Sequence, residues 1–305
     1  MPAGATDLAP LRSLLDSTSV DGPPANLPVL DGRPVDLIFP AARPSGQCGS
    51  FSLYSSGHWL IGRASAATAS DLAAATEGFY AELFQAVQGR HLCRVWNFVP
   101  NINARSLDGQ EHYRAFCCGR SLAFERFFGR GFKRRLPASS AVGAPGDRLT
   151  VVFAASGVEP LHFENPEQVP AYEYPRTHGP RPPSFSRATV VPAGDRTDVF
   201  IAGTAAIKGH ATRAPGDTGA QLEVTLDNLR IISRVTGLGA DLGAGRCAER
   251  HLRVYLRHVE DYPAVATALA GKLLRPGDTV SYLRADICRA ALNVEIEVTV
   301  LGAGR

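Results

Sequence analysis

The 305-residue chain carries 32 Lys and Arg against 29 Asp and Glu, a formal net charge of +3, and 45% of its residues are hydrophobic. That content is typical of a globular protein, and the length allows two ordinary domains or one large one. The small charge, without any run that interleaves aromatic and basic residues, argues against a nucleic-acid binder. No stretch approaches about 20 apolar residues, and the N-terminus has no signal-peptide pattern, so we expect a cytoplasmic protein without a membrane span.

Residues 1–34 are rich in Pro, Ala, Gly and Ser and predict an N-terminal extension with little fold of its own. Residues 35–160 predict a first domain with both helical and strand patterns. Its elements, in chain order, are a hairpin of 49–55 and 58–64, a helix near 70–88, a strand 91–99, a helix near 113–128 and a strand 148–155.

Residues 188–305 repeat this order as a second domain. The predicted elements are a hairpin of 188–191 and 198–202, a helix near 219–236, a strand 252–258, a helix around 262–269, and strands near 280–286 and 294–301. Both halves therefore predict a ββαβαβ order, with an extra strand at the end of the second. Helices in such an order pack on one face of a mixed sheet, so the predicted fold class is α+β.

The segment 161–187 between the halves mixes Tyr172, Tyr174, Phe185 and three arginines among six prolines. A plain linker would be rich in Gly and Ser or uniformly polar. Proline lowers the entropic cost of holding a segment in one shape, so we predict an ordered loop that presents polar rings and guanidinium groups. The alternative is a proline-rich connector that packs on the surface.

The last predicted strand carries two carboxylates on one face. Alternate residues of a strand point the same way, so Glu295 and Glu297 share one side while Val294, Ile296 and Val298 fill the other. The apolar side should meet a core, and the carboxylates should meet water or a pocket. In a pocket Glu295 becomes a candidate acid; otherwise it is an ordinary exposed strand residue.

Two arginines are candidate anion ligands. Arg120 has apolar or small neighbours, and Arg187 closes the proline-rich segment. A guanidinium in an apolar setting needs an anion, and its planar fork fits a carboxylate. The alternative for either arginine is a structural salt bridge to a protein carboxylate such as Glu125 or Glu164. The cysteines and histidines show no recurring ligand spacing, so we expect no metal site.

Five motifs together resemble the chorismatase family. They are VWNFVPNIN (95–103), YRAFCCGR (113–120), FENPEQVPAYEYP (163–175), GPRPPSFSRA (179–188) and FIAGTAAI (200–207). The resemblance extends from about Phe39 to the C-terminus. The second half is also similar to the wider RidA (YjgF) family, whose C-terminal strand carries a comparable Glu-Ile-Glu. The resemblance implies two RidA-like halves and cleavage of pyruvate from chorismate without a cofactor.

The resemblance also implies that Glu295 is the catalytic glutamate. We expect Tyr113, Arg120, Tyr172 and Arg187 to bind the substrate. Chorismate is a dianion with an enol ether, so binding calls for arginines and tyrosines, and cleavage calls for an acid that protonates the methylene carbon. A free Glu with a pKa of about 4.3 would be only ~0.2% protonated at pH 7. Burial and a bound dianion both raise that pKa.

Two positions resemble the determinants of product in the family. Cys288 resembles the residue of the hydroxybenzoate-forming enzymes, whereas Ala202 resembles that of the hydrolytic ones. We predict a hydroxybenzoate, either 3-hydroxybenzoate or 4-hydroxybenzoate, because a thiol near the ring could assist aromatisation. The main alternative is hydrolysis to a dihydroxycyclohexadiene carboxylate.

Two further alternatives remain at the level of the sequence. A RidA-type imine deaminase resembles an activity that depends on an arginine about fifteen residues before the glutamate, where this chain has Val280. The other is a ligand-binding module of the same fold, which would hold chorismate without releasing pyruvate. Two related halves could satisfy their interfaces within one chain, so the sequence predicts a monomer or a small homo-oligomer.

Overall fold

The computed structural model describes residues 26–68, 71–107, 109–243 and 248–304; most of the predicted N-terminal extension lies outside these ranges. The strands are β1 Val29–Gly32, β2 Arg43–Cys48, β3 Phe51–Ser56, β4 Trp59–Ala67, β5 His91–Pro100, β6 Ala138–Ala144, β7 Arg148–Ser156, β8 Leu161–Phe163, β9 Ala188–Ala193, β10 Arg196–Ala205, β11 Ile207–Lys208, β12 Ala211–Thr212, β13 Glu249–Leu256, β14 Thr279–Arg284 and β15 Val294–Gly304. The helices are α1 Leu72–Ala86, α2 His112–Phe128, α3 Thr218–Val235 and α4 Tyr262–Lys272. None of the helices in these ranges is long and apolar enough to cross a membrane.

The two halves share one topology. The first sheet has the order β2-β3-β4-β7-β5-β6, and the second has the order β1-β14-β13-β15-β10-β9-β8. Within them, β3-β4-β7-β5-β6 corresponds strand for strand to β9-β10-β15-β13-β14. In each half one pair is parallel, β5 with β6 and β13 with β14. The predicted α+β class with repeated halves and mixed sheets is therefore confirmed.

The first half contains two strands that were not predicted, β2 and β6, and β6 completes the ββαβαββ order that both halves share. The sequence of β6, ASSAVGA, has a single β-branched residue and no aromatic one, so it lacks the usual signal of a strand. Every residue of β6 is nevertheless buried. Strand β6 pairs with β5 and packs against β10 of the second sheet, and small side chains allow this close approach.

Each sheet packs its helices on one face and the other sheet on the opposite face. Leu222, Leu226 and Leu229 of α3 pack with Ile296 and Val298 of β15 in the core of the second half. The helix-free faces meet in a third cluster that joins both halves, where the rings of Trp59 and Phe200 lie 5.2 Å apart. The layer order is thus helix, sheet, sheet, helix. Because Ile296 faces the helices, Glu295 and Glu297 face the first sheet.

The end of the predicted extension belongs to the second sheet. Strand β1 pairs antiparallel with β14. Arg253 Nη2 donates to the carbonyl oxygen of Pro34 at 3.3 Å, and Thr299 Oγ1 donates to Asp36 Oδ2 at 2.9 Å. Residues 29–36 therefore add an edge strand and a buried carboxylate to the C-terminal half, although Asp36 falls within the predicted first domain, 35–160.

Candidate functional site

A small cavity lies between the two sheets, and several separate parts of the chain form its walls. Helix α2, strands β6, β10 and β15, and the 161–187 segment each contribute side chains. Five of the residues predicted for the site line it: Tyr113, Arg120, Arg187, Cys288 and Glu295. The fold thus brings the predicted acid, both predicted anion ligands and the predicted thiol to one place. The proline-rich segment forms part of its wall and does not only connect the halves.

Glu295 is buried in this cavity, with 3% of its surface exposed. Its Oε1 atom has no hydrogen-bond partner among the described residues. Burial raises the pKa of Glu295 to about 8, and Glu297 adds to the rise, whereas the guanidinium groups of Arg94 and Arg187 act in the opposite direction. A carboxyl with that pKa is about 90% protonated at pH 7. Glu295 is therefore a buried and largely protonated carboxyl, not an exposed strand residue.

Glu297, two residues along the same strand face, has a different environment. It is held at the centre of a buried polar cluster whose donors come from both halves. They are Trp96 Nε1 at 3.0 Å, Ser140 Oγ at 2.6 Å, Arg253 Nη1 at 2.7 Å, Tyr255 Oη at 3.2 Å and the guanidinium of Arg94. Two guanidinium groups, of Arg94 and Arg253, pair with this carboxylate, which shares its strand face with Glu295. The Glu297 carboxylate thus accepts from five side chains, whereas Glu295 Oε1 accepts from none of the described residues.

Gly203 leaves the space that the Glu295 carboxyl occupies. A Cβ atom at Gly203 would lie 2.0 Å from Glu295 Oε1 and 3.1 Å from Ser140 Cβ, so any larger residue would displace the acid. The pairing of β10 with β15 shifts register between Ile201 and Thr204, which aims this part of β10 at the cavity. The neighbouring Ala202 packs in the core between the sheets and does not line the cavity.

Arg187 is buried, and no carboxylate of the described residues lies within hydrogen-bonding distance of its guanidinium. Its Nη2 donates to Tyr174 Oη at 2.8 Å, and its guanidinium carbon lies 4.9 Å from the centre of the Phe185 ring. Its Nε has no partner in the described part of the chain. Burial raises the pKa of Glu164 to about 7, with Arg187 acting against the rise, but neither carboxyl oxygen of Glu164 has a hydrogen-bond partner in the described part of the chain. The charge of Arg187 therefore remains available to a ligand.

Arg120 is held by neutral groups. Its Nη1 donates to Ser139 Oγ at 3.3 Å, and its guanidinium lies over the Phe116 ring at 4.8 Å. Glu125, an alternative partner suggested by the sequence, instead accepts from Arg181 Nη1 at 2.6 Å. No ion pair of Arg120 occurs within residues 26–68, 71–107, 109–243 and 248–304, and its buried Nε is also unsatisfied there. Two buried cations without carboxylate partners make the cavity suitable for an anion.

The polar groups beside the acid remain protonated at neutral pH. Burial raises the pKa of Tyr113 well above its usual value. Burial and the neighbouring Glu295 raise the pKa of the Cys288 thiol to about 12. Cys288 therefore enters any reaction here as a thiol and not as a thiolate.

Tyr172 lies outside the cavity, where it packs against the core of the first half with Lys133 Nζ 5.5 Å from its ring centre. Tyr174 lines the cavity in its place. Three further polar residues line the cavity without having been predicted: Ser139, Ser140 and Arg289. Both serines lie on the strand β6 that was not predicted, and Arg289 adjoins Cys288 outside any motif that was quoted.

Comparisons with known proteins identify the family to which the chain belongs. A sequence model described as "Chorismatase FkbO/Hyg5-like, N-terminal" matches residues 39–155. A 3-hydroxybenzoate synthase of Streptomyces hygroscopicus is 37% identical over 239 residues, which cover 74% of this chain and 69% of the relative. A chorismatase of Streptomyces rapamycinicus is 38% identical over 252 residues, covering 79% and 74% of the two chains. The chain belongs to the chorismatase family.

A solved chorismatase structure supports the same assignment over both halves. It matches with a TM-score of 0.77 and 34% sequence identity, covering 85% of this chain and 80% of the other. The family predicted from the five motifs is therefore confirmed. In this chorismatase the matched N-terminal region, 39–155, supplies Tyr113, Arg120 and Ser140, whereas Arg187 and Glu295 come from the rest of the chain.

Proposed function

We propose that this enzyme removes pyruvate from chorismate and releases a hydroxybenzoate, with Glu295 as the general acid. The observation that carries the proposal is a buried carboxyl with a pKa of about 8 in a cavity that also holds Arg120 and Arg187 without carboxylate partners. A dicarboxylate substrate supplies the two missing anions. The relatives named chorismatase and 3-hydroxybenzoate synthase support the same substrate and product.

The residues divide the reaction between binding and protonation. Arg120 and Arg187 each hold a substrate carboxylate, and the hydroxyl groups of Tyr113 and Tyr174 orient the ring between them. The carboxyl of Glu295 gives its proton to the methylene carbon of the enol ether. A C–H bond forms with the π electrons of the double bond, and the ether carbon becomes an oxocarbenium ion. On the hydrolytic route water adds to that carbon, returns a proton to Glu295, and the ether C–O bond breaks to give pyruvate and the ring alcohol. On the aromatic route the neighbouring ring hydroxyl adds and returns its proton to Glu295; its bond to the ring and the ether bond to the pyruvate carbon then break, and the proton that the ring carbon loses ends on the phenol oxygen.

Proton transfer leaves a carboxylate at position 295, and the surrounding charges suit that change. Arg94 and Arg187, which oppose the raised pKa of Glu295, stabilise the carboxylate as it forms. The remaining atoms balance without net water on the aromatic route, because chorismate has the composition of pyruvate plus hydroxybenzoate. The neutral thiol of Cys288 beside Glu295 supports this route over the hydrolytic one, which consumes one water.

Several predictions from the sequence remain part of the proposal. Ala202 adjusts the product indirectly, because its backbone N–H donates to the Arg187 carbonyl at 2.9 Å and it precedes Gly203. By contrast, Tyr172, which the sequence predicted to bind the substrate, packs on the core of the first half, and the proposal gives its binding role to Tyr174. The helix-free sheet faces already cover each other, which supports a monomer or a small homo-oligomer. A cytoplasmic location is proposed from the sequence.

The products of the wild-type enzyme test the function directly. We expect chorismate, with a chelator present, to give pyruvate and 3-hydroxybenzoate in equal amounts, measured by coupled pyruvate reduction and by chromatography against standards. A dihydroxycyclohexadiene carboxylate in place of the aromatic acid would assign the hydrolytic route. Bound chorismate without pyruvate would instead indicate a binding module and contradict the proposal.

The charge of Glu297 should control the alkaline limit of the reaction. Because the acid form of Glu295 is the active one, kcat/KM of the wild type should fall as pH rises through about 8. Glu297→Gln removes the like charge and leaves Arg94 and Arg253 opposite the acid. We expect the alkaline limb of the pH profile to move down by about one unit, a loss of about fivefold at pH 8 that approaches tenfold at higher pH.

Arg94→Met is the matched control for Glu297→Gln, because Arg94 lowers the pKa of Glu295 and its removal should move the same limb upward. The two substitutions disrupt the same buried ion pair. If the alkaline limb moves down in Glu297→Gln and up in Arg94→Met, the effect is electrostatic and not general damage to the buried cluster. An equal loss at every pH, with the limb fixed in both variants, would show that Glu297 is only structural.

A further inference from the structure

A second, larger space adjoins the cavity. This outer cleft has a volume of about 670 Å³ and is formed by the start of α2, the loop before it, the 161–187 segment and the turn between β11 and β12. The two spaces share part of their walls. The shared side chains are Tyr113, Tyr174, Pro183, Cys288 and Arg289. A ligand that reaches the buried acid can therefore pass through the outer cleft.

The outer cleft is positively charged. Among the described residues, three guanidinium groups line it, from Arg105, Arg114 and Arg289, against one carboxylate, that of Glu111. Glu111 Oε2 lies 3.3 Å from Arg114 Nε, and no other carboxylate from residues 26–68, 71–107, 109–243 and 248–304 lines the cleft to neutralise Arg105 or Arg289. His178 adds no charge at neutral pH, because burial lowers its pKa to about 4.

Arg289 stands at the boundary between the two spaces. Its Nη1 donates to the His210 carbonyl at 2.9 Å and to Thr212 Oγ1 at 3.2 Å, and its guanidinium lies 5.4 Å from the Tyr174 ring centre. Tyr174 in turn accepts from Arg187 inside the cavity. Neutral acceptors hold the Arg289 guanidinium in place without neutralising its charge. Because Arg289 lines both spaces, its positive charge acts on an anion in either one. The guanidinium groups thus form a series from the surface to the buried cavity.

We propose that the outer cleft is a capture site for the dianionic dicarboxylate substrate, from which Arg289 passes it to the buried cavity. This inference rests on the proposed function. The cleft attracts the substrate before any contact with the acid, because positive charge that lines a concave surface raises the encounter rate with anions. The outer arginines thereby affect capture, and the buried arginines hold the bound substrate.

The effect of the outer charges can be measured through ionic strength. Removing one positive charge about 8 Å from a dianion weakens capture ~4-fold at ~10 mM salt and ~2-fold at ~150 mM salt. The double variant Arg105→Gln/Arg114→Gln should therefore lose about 15-fold in kcat/KM at low salt and about 4-fold at physiological salt. Glu111→Gln should act in the opposite direction and increase kcat/KM at low salt.

Arg43→Gln is the remote control. Arg43 is an exposed arginine on β2, five strand positions from β6 in the first sheet, or about 24 Å. We expect its kcat/KM and salt dependence to equal those of the wild type. Suppose that the wild type releases pyruvate but kcat/KM has the same salt dependence in the double variant as in Arg43→Gln. That result would overturn the capture site and leave the proposed function standing. No pyruvate from the wild type would overturn the proposed function and the capture site with it.

Discussion

Glu295→Gln should lose about 10³-fold or more of its pyruvate release from chorismate, because an amide has the shape of the carboxyl but no acidic proton to give to carbon. Substrate affinity should change little, since Arg120 and Arg187 remain. Single-turnover measurement of pyruvate, with binding followed separately by calorimetry, distinguishes the two effects. Activity equal to that of the wild type would remove Glu295 from the mechanism.

The stability of the same variant provides an internal control. Burial raises the pKa of Glu295 from 4.5 to about 8, so the folded state keeps a proton that the unfolded chain releases near pH 4.5. The wild type therefore loses stability as pH rises between about 4.5 and 8, on the order of a few kcal/mol, and Gln carries no such penalty. Thermal melts should show Glu295→Gln at least as stable as the wild type at pH 8. Clear destabilisation at both pH 6 and pH 8 would instead assign Glu295 a structural role.

The spacing of apolar residues along the sequence predicted most of the helices and strands, because each long element buries one face. The helix expected near 219–236 is observed at Thr218–Val235, and the strand expected at 91–99 is observed at His91–Pro100. Strand β6 escaped prediction because its small residues carry no alternation of apolar and polar side chains. Strand β1 was not predicted because a short edge strand forms only by pairing with its neighbour, here β14, which lies about 250 residues away in sequence.

The site was predictable as a set of residues but not in its detail. Alternation placed Glu295 and Glu297 on one face, yet only the positions of Arg94 and Arg253 show which carboxylate is paired and which is free. Likewise, the register shift in β10 decides that Gly203 and not Ala202 borders the acid. These distinctions depend on contacts between the halves, which no local pattern encodes.

The same limit applies within the proline-rich segment. Tyr172 and Tyr174 are two residues apart, and the segment forms a short 3-10 turn at Ala171–Glu173 in place of a strand. Because neither helical nor strand periodicity holds in such a turn, the sequence does not show which ring points inward. The structure identifies Tyr174 through its hydrogen bond with Arg187.

Arg187→Gln should lower kcat/KM for chorismate by about 10²- to 10³-fold, mostly through KM, because a buried guanidinium bound to a carboxylate contributes about 2–5 kcal/mol. Arg187→Lys keeps the charge but loses the planar fork and the donation to Tyr174 Oη, so an intermediate loss is expected. Steady-state kinetics over a range of chorismate concentrations separates KM from kcat.

The pH profile of Arg187→Gln tests whether the guanidinium also acts on the acid. Arg187 lowers the pKa of Glu295, so its removal should move the alkaline limb of kcat/KM upward while activity falls. Arg181→Gln is the matched control in the same segment: Arg181 pairs with Glu125 in a partly exposed ion pair outside the cavity, and its loss should change kcat/KM by less than about twofold. An Arg187→Gln profile with an unmoved limb and an unchanged KM would contradict both roles. An upward limb together with weaker binding is the combination expected of a cation that holds the substrate and stabilises the carboxylate formed on protonation of the substrate carbon.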